Sequence, residues 1–198
     1  MAAEELSSDL ELVDAELVLD AVQTLLYWVG EDPAREGLRD TPGRVLRSLA
    51  ELTQGYQADP GVILERSFPD QYDEMVVLRG VTFTSLCEHH LLPFVGVASV
   101  GYVPAPGAGV VGLSKLARLV SCFAQRLQVQ ERMTVQIADA LEEHLTPLGS
   151  GVLVEAHHSC MGCRGVRQPG ALMVTSSLRG AMRDEPETRA EFLALARH

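Results

Sequence analysis

Three of the four cysteines and four of the six histidines in this chain fall in two short segments, residues 87–90 and 157–163. The segments are far apart in sequence, so any chemistry they share has to be assembled by folding. Whatever fold the chain adopts must bring one against the other. Cys87-x-x-His90 lets two side chains face one ion within a single turn. Thiolate with imidazole suits zinc, and soft sulfur disfavours Mg²⁺ and Ca²⁺. Two arrangements are open. In one, Cys87, His90 and Cys160 bind zinc and water fills the fourth place, as in a catalytic site. In the other, Cys163 completes a closed, structural set. Spacing alone favours the closed set. His89 and His158 favour the open one, because proton donors beside the ligands serve an acidified water and serve a closed site nothing. The clustering argues against a third reading, core thiols and surface imidazoles with no metal.

The rest of the chain supplies the elements that must do the folding. Ser8-Asp-Leu-Glu11 has the form of a capping box. Leu12, Leu19, Val22, Leu26 and Val29 follow at helical spacing as far as Gly30. Thr41 and Pro42 predict a second helix, with Thr41 as cap and Val45, Leu46, Leu49 and Leu52 as its apolar stripe. A loop is expected over 57–73. Residues 75–84 and 94–104 then change to the period of strands, with Cys87–Pro93 as the bend between them. Ser114 is placed to cap a helix carrying Leu116, Leu119, Val120 and Phe123. Another helix runs from about Val129 through Met133, Ile137 and Leu141 until Gly149 and Gly151 break it. Val152–His157 and Met173–Ser176 read as strands and Glu187–Arg197 as a terminal helix. Strand pairs flanking a helical pair predict an α+β fold with an antiparallel sheet. Residues 1–56 form an N-terminal helical appendage in this reading and 57–198 the catalytic domain.

Charge narrows the function. The chain has a formal net charge of −11, and residues 1–60 hold thirteen acidic groups against Arg35, Arg39, Arg44 and Arg47. A nucleic-acid binder of this size would be basic, so that class is disfavoured. The longest apolar run, 12–29, is broken by Asp14, Glu16 and Asp20, and no membrane span is expected. With no basic residue before Arg35 the N-terminus does not read as a signal peptide. A cytoplasmic location is the expectation, with the cysteines as thiols or ligands.

Against this acidic background the cations stand out. Lys115 is the single lysine beside fifteen arginines. It sits in Gly112-Leu-Ser-Lys-Leu-Ala-Arg118, at the start of a helix whose free N–H groups and dipole favour anions. Lys115 and Arg118 share a face at i, i+3, as do Arg44 and Arg47, and Arg164 lies in the Cys-rich loop. A strongly anionic ligand such as a polyphosphate accounts for these positions; solvated surface charge is the alternative, and for Arg44 and Arg47 a strong one. No Walker-type loop is present. Gln130 and Glu131 open the next helix, and a carboxylate there can accept two N–H bonds from a guanine-like edge or merely favour the helix dipole.

Taken together, Thr41-Pro-Gly-Arg44, Ser85-Leu-Cys-Glu-His-His-Leu-Leu-Pro-Phe94, Gly112-Leu-Ser-Lys115 with Arg118, Arg126-Leu-Gln-Val-Gln-Glu-Arg132 and His158-Ser-Cys-Met-Gly-Cys-Arg-Gly165 resemble GTP cyclohydrolase I. The resemblance covers roughly residues 20–195. It implies a tunnelling fold whose subunits pool antiparallel sheets into a barrel, a decamer of two stacked pentamers, and sites at subunit interfaces. It implies conversion of GTP and water to 7,8-dihydroneopterin triphosphate and formate, the entry to folate or tetrahydropterin-type cofactors. By position, Cys87, His90 and Cys160 resemble the zinc ligands, His158 the acid–base and His89 its assistant. Glu131 resembles the guanine anchor, with Gln130 beside it. Lys115, Arg118 and Arg164 are similar to the triphosphate contacts, with Arg44 and Arg47 as further candidates, and Ser114 to a serine near the ribose and phosphates. Cys163 and Cys122 depart from the family pattern. The rival expectations are a related tunnelling-fold enzyme for another purine or pterin, and a non-enzymatic zinc module built on Cys163 as fourth ligand.

Overall fold

The computed structural model describes residues 14–65, 67–68 and 72–197; the capping box expected at Ser8–Glu11 lies outside them. Contacts divide the chain between Glu51 and Leu52 into two compact units. In the first, α1 (Ala15–Trp28) is capped by Asp14, whose carboxylate accepts from Glu16 N at 3.0 Å. The second helix, α2 (Thr41–Leu52), begins at Thr41 itself, and Asp40 accepts the backbone N–H of Arg44 at 3.0 Å to close its first turn.

The second unit starts earlier than the border at 56/57 expected from sequence, because the 3₁₀ turn at Gln54–Gln57 is tied into it. Gly55 N–H donates to Gln125 O at 3.0 Å and Arg126 Nε to Gly55 O at 3.1 Å. The segment expected as a loop also holds α3 (Pro60–Leu64), capped by Asp59, and β1 (Ser67–Phe68). Then follow β2 (Val76–Cys87), β3 (Pro93–Val103), β4 (Val110–Val111), α4 (Leu113–Ala124), β5 (Leu127–Gln128) and α5 (Gln130–Leu145). The chain ends with β6 (Gly149–His158), α6 (Ser159–Gly162), β7 (Met173–Gly180), α7 (Ala181–Asp184) and α8 (Pro186–Ala196). This is the α+β order expected, with α4 and α5 between two strand pairs.

The main sheet runs β5-β2-β3-β6-β7 and is antiparallel except for the short β5, which lies parallel to β2. A bulge between Leu78 and Val81 interrupts β2, and Gly80 takes the left-handed φ of +75° that it requires. Alternation along the strands gives the sheet two apolar faces. On one, Phe83, Phe94, Ala98, Val100, Val152, Val154 and Ala156 pack with Leu116, Leu119, Val120 and Phe123 of α4 and Met133, Ile137 and Leu141 of α5. On the other, Leu153 and Leu178 pack with Met182, Phe192 and Ala196. Gly151, expected to break a helix, instead lies within β6 under Phe192, where a Cβ would meet the ring at 2.8 Å. Among the described residues no helix is long and apolar enough to cross a membrane.

Pairing gathers four segments at one end of the sheet. Leu86↔Leu127 and Cys87↔Gln128 bring the start of α5 to the end of β2. Phe94↔His158 brings the end of β6 to the start of β3, and Ala156↔Met173 adds the start of β7. Both Cys/His segments are therefore at the same sheet end.

Candidate active site and metal centre

The β2–β3 connection is a tight turn held by its own backbone. Cys87 N donates to Leu92 O at 2.9 Å, and Leu91 N and His90 N donate to Cys87 O at 2.8 and 3.3 Å. Leu91 has a left-handed φ of 54°. The turn sets Cys87 Sγ 3.9 Å from His90 Nδ1. Cys160 arrives from the other side on α6, directly after β6. One donor atom from each of Cys87, His90 and Cys160 lies within 4.8 Å of the others, forming a group that can hold a metal ion. Two sulfurs and one imidazole nitrogen suit zinc by chemistry, and a shift of under about 1 Å would bring them to the separations of roughly 4 Å that tetrahedral bonds of about 2.0–2.3 Å need. Burial pushes the Cys160 thiol up, and Cys87 beside it adds to the effect. A cation between the sulfurs removes that opposition. Cys163 is exposed, with its N–H on Ser159 O at 2.9 Å, and does not belong to the group.

His158 stands beside this group, at the end of β6. Its ring stacks on Phe94, centroids 4.6 Å apart and planes 4° from parallel, and Phe94 is braced edge-on by Phe83. His158 Nε2 lies 2.8 Å from Gln130 Oε1. Burial lowers the pKa of His158, and the Glu131 carboxylate pulls the other way. Glu131 is exposed in the first turn of α5. Strand alternation turns the preceding His157 to the opposite face, where its Nδ1 meets Ala171 O at 3.0 Å.

Gln130 is not where the sequence reading put it. Expected beside Glu131 on the substrate, its side chain is fully buried. Its Nε2 donates toward Val154 O, Met173 O and Thr175 Oγ1, each at 3.1 Å, and its Oε1 is taken up by His158. No polar atom is left to meet a ligand. Glu88 was not singled out from sequence either. Its carboxylate pairs with Arg132 and lies 3.8 Å from His89 Nε2, so α5 restrains the turn that carries His89 and His90. Phe94, Thr134 and Thr175 also escaped notice, because strand register and buried hydroxyl pairing leave no local mark in sequence.

The cations divide. Arg164 Nη1 is 3.4 Å from His90 Nε2 and so stands at the metal group. Ser114, Lys115 and Arg118 do not. Gly112 occupies the cap position of α4 and Ser114 the second helical position, a shift from its expected role as cap. The start of α4 follows β4, where Val111 N donates to Tyr102 Oη at 2.8 Å. Tyr102 lies near the far end of β3, and the extended run from Phe94 to Tyr102 spans roughly 25 Å. Within one chain these three residues are thus at the opposite end of the sheet from Cys87. Neither Lys115 nor Arg118 has a carboxylate partner among the described residues. Arg44 pairs with Asp40 at 3.3 Å, and with Arg39 and Arg47 it lines a cavity of about 440 Å³ within the N-terminal unit.

The chain that carries this partly buried thiol–imidazole–thiol group is similar to known enzymes along nearly its whole length. The sequence profile of GTP cyclohydrolase I matches residues 18–197. GTP cyclohydrolase 1 of a Synechococcus species is 53% identical over 198 residues, covering 100% of this chain and 85% of that protein. The Streptomyces avermitilis enzyme of the same name is 53% identical over 176 residues, covering 89% of this chain and 87% of its own. That of Dehalococcoides mccartyi is 46% identical over 187 residues, covering 94% and 99%. A looser likeness, with a TM-score of 0.46 and 16% identity, is to the crystal structure of the archaeosine synthase QueF-Like in the apo form, covering 56% of this chain and 97% of that one. With a profile match of this extent and identities near one half over full-length relatives, the chain belongs to the GTP cyclohydrolase I family.

Proposed function

We propose that this chain converts GTP to 7,8-dihydroneopterin triphosphate and formate at a zinc site held by Cys87, His90 and Cys160. The observation that carries the reading is the convergence of those three donors beside His158 and Glu131. Zinc bound there supplies Lewis acidity and a water acidified toward neutral pH. The remaining work falls to side chains. The Glu131 carboxylate accepts two N–H bonds from the guanine edge and orients the base. His158 delivers a proton to the five-membered ring of the purine, which makes C8 electrophilic, and takes protons back as the ring opens. Two hydrolytic steps release formate, and ring closure returns one water, so the net reaction consumes one. His89, exposed on the Cys87–His90 turn, assists proton exchange with solvent.

Lys115, Arg118 and Ser114 serve the triphosphate and ribose in this reading, with Arg164 at the metal side and Arg44 and Arg47 as further contacts. Because α4 begins far from Cys87 in its own chain, Lys115 and Arg118 reach the reacting GTP only from a second copy. A homo-oligomer with sites between subunits follows, consistent with a tunnelling-fold decamer of two pentamers that pools its sheets into a barrel. The product suits folate or tetrahydropterin-type biosynthesis in the cytoplasm.

The test is to measure formate release and the fluorescence of the oxidised pteridine from GTP, with and without added zinc. Zinc-dependent formation of both products in equal amounts is expected. Zinc-loaded oligomer that yields neither overturns the reading and favours another purine or pterin as substrate.

A further inference from the structure

The buried carboxamide of Gln130 sits in a network whose hydrogen-bond directions can be worked out atom by atom. The carbonyl oxygens of Val154 and Met173 can only accept, and both lie 3.1 Å from Gln130 Nε2. Thr134 Oγ1 is 2.7 Å from Gln130 O, another pure acceptor, so the single hydroxyl proton of Thr134 is committed there. Thr134 Oγ1 is also 2.7 Å from Thr175 Oγ1, so Thr175 must donate to Thr134. That leaves Thr175 Oγ1 to accept from Gln130 Nε2 at 3.1 Å. Every neighbour of this nitrogen is therefore an acceptor. Reversing the carboxamide would set Oε1 against two carbonyl oxygens in a fully buried position, a loss of several hydrogen bonds at once.

With that orientation fixed, Gln130 Oε1 faces His158 Nε2 at 2.8 Å and can only accept. The proton between them belongs to His158. The stack on Phe94 fixes the plane of the imidazole, and the bond to Gln130 fixes its rotation within that plane. His158 Nδ1 has no partner among the described residues. No buried side-chain nitrogen or oxygen is left unpartnered among them, so Nδ1 is open to solvent.

We propose that Gln130 is a positioning residue that holds His158 in the tautomer protonated on Nε2, so that the ring presents its Nδ1 lone pair to the open side. The inference rests on the acid–base reading of His158 and adds which nitrogen faces the open side and what aligns it. Gln130 acts through His158 and never touches GTP.

Solid-state ¹⁵N NMR of sedimented, zinc-loaded enzyme labelled in histidine reads the tautomer, with His158 signals assigned by their loss in His158→Ala. A neutral His158 protonated on Nε2 is expected; protonation on Nδ1 overturns the inference, and this spectrum needs no Gln130 variant to fold. Gln130→Met, which keeps the volume and removes the acceptor, should populate both tautomers. It should also lower kcat about 100-fold or more with KM for GTP within about threefold and zinc content unchanged. Unchanged kcat in Gln130→Met overturns the positioning role. Full turnover in His158→Ala overturns instead the acid–base reading beneath it, whatever the spectrum gives.

Discussion

The two ends of the main sheet are finished to different degrees. At the end where β2 meets β3, a single chain supplies two sulfurs, an imidazole nitrogen, a stacked histidine and a buried amide with its polar atoms all engaged. At the other end, Tyr102 anchors β4 and α4 opens on Lys115 and Arg118, which have no carboxylate partner among the described residues. Proton transfer needs groups held to fractions of an ångström, and only packing and hydrogen bonding within a fold achieve that. A triphosphate is a large charge that long flexible cations can follow, so its contacts tolerate being left open. Under the proposed function this contrast is a division of labour, with the proton-transfer groups built by one chain and charge recognition completed only when a second copy supplies Lys115 and Arg118.

Destroying the finished end should give the largest effect. Cys160→Ser exchanges a soft ligand for a poor one. We expect metal content by atomic absorption to fall to background and formate release to drop at least about 1000-fold. The far end should still fold, so circular dichroism should be unchanged. A Cys160→Ser enzyme that keeps zinc and turnover would break the comparison at its root. His158→Ala should come next, keeping zinc and GTP binding while losing about 100- to 10,000-fold in kcat. Loss of zinc in that variant would make His158 a ligand.

The comparison sharpens most in a mixing experiment. Lys115→Ala should raise KM for GTP roughly tenfold through the lost charge. If each site joins the metal end of one chain to α4 of a neighbour, co-expressed Cys160→Ser and Lys115→Ala chains regain wild-type kinetics at roughly a quarter of sites, since half the donors of each kind are intact. Activity no greater than the average of the two single variants would place both ends in the same subunit's site.

The finished end was the more legible from sequence, and particular residues show why. Cys87, His90 and Cys160 declare themselves by type and clustering, and the strands that bring them together by apolar alternation. The α4 and α5 cores follow from leucine, methionine and isoleucine spacing. Gln130 reads like a surface residue beside Glu131, yet as the first residue of α5 it turns inward onto β6 and β7. That depends on how α5 lies across the sheet, which no local pattern encodes. Ser114 is the better capping residue by chemistry, but Gly112 has the extended φ and ψ of −61° and 135° that the cap needs. The separation of Lys115 from Cys87 within one chain has no local mark either: the family resemblance implies sites at subunit interfaces, but the motifs do not say which residues come from which chain.

The smallest expected effect concerns Cys163, which by spacing alone completes a closed metal set with Cys87, His90 and Cys160. A fourth thiolate would displace water and end the catalytic role of that sheet end. The fold sets the thiol aside. Cys163 sits at the end of α6, exposed, with its N–H on Ser159 O, while Cys160, three residues earlier, points into the group. Residues three apart on one helical turn share a side, so what separates them is burial: Cys160 is partly buried against the core and Cys163 is exposed. Cys163→Ser should therefore leave zinc stoichiometry unchanged and formate release within about twofold of wild type. Zinc lost together with activity would mean that the exposed thiol closes over the metal in solution, and the end of the sheet described as catalytic would be a structural clasp.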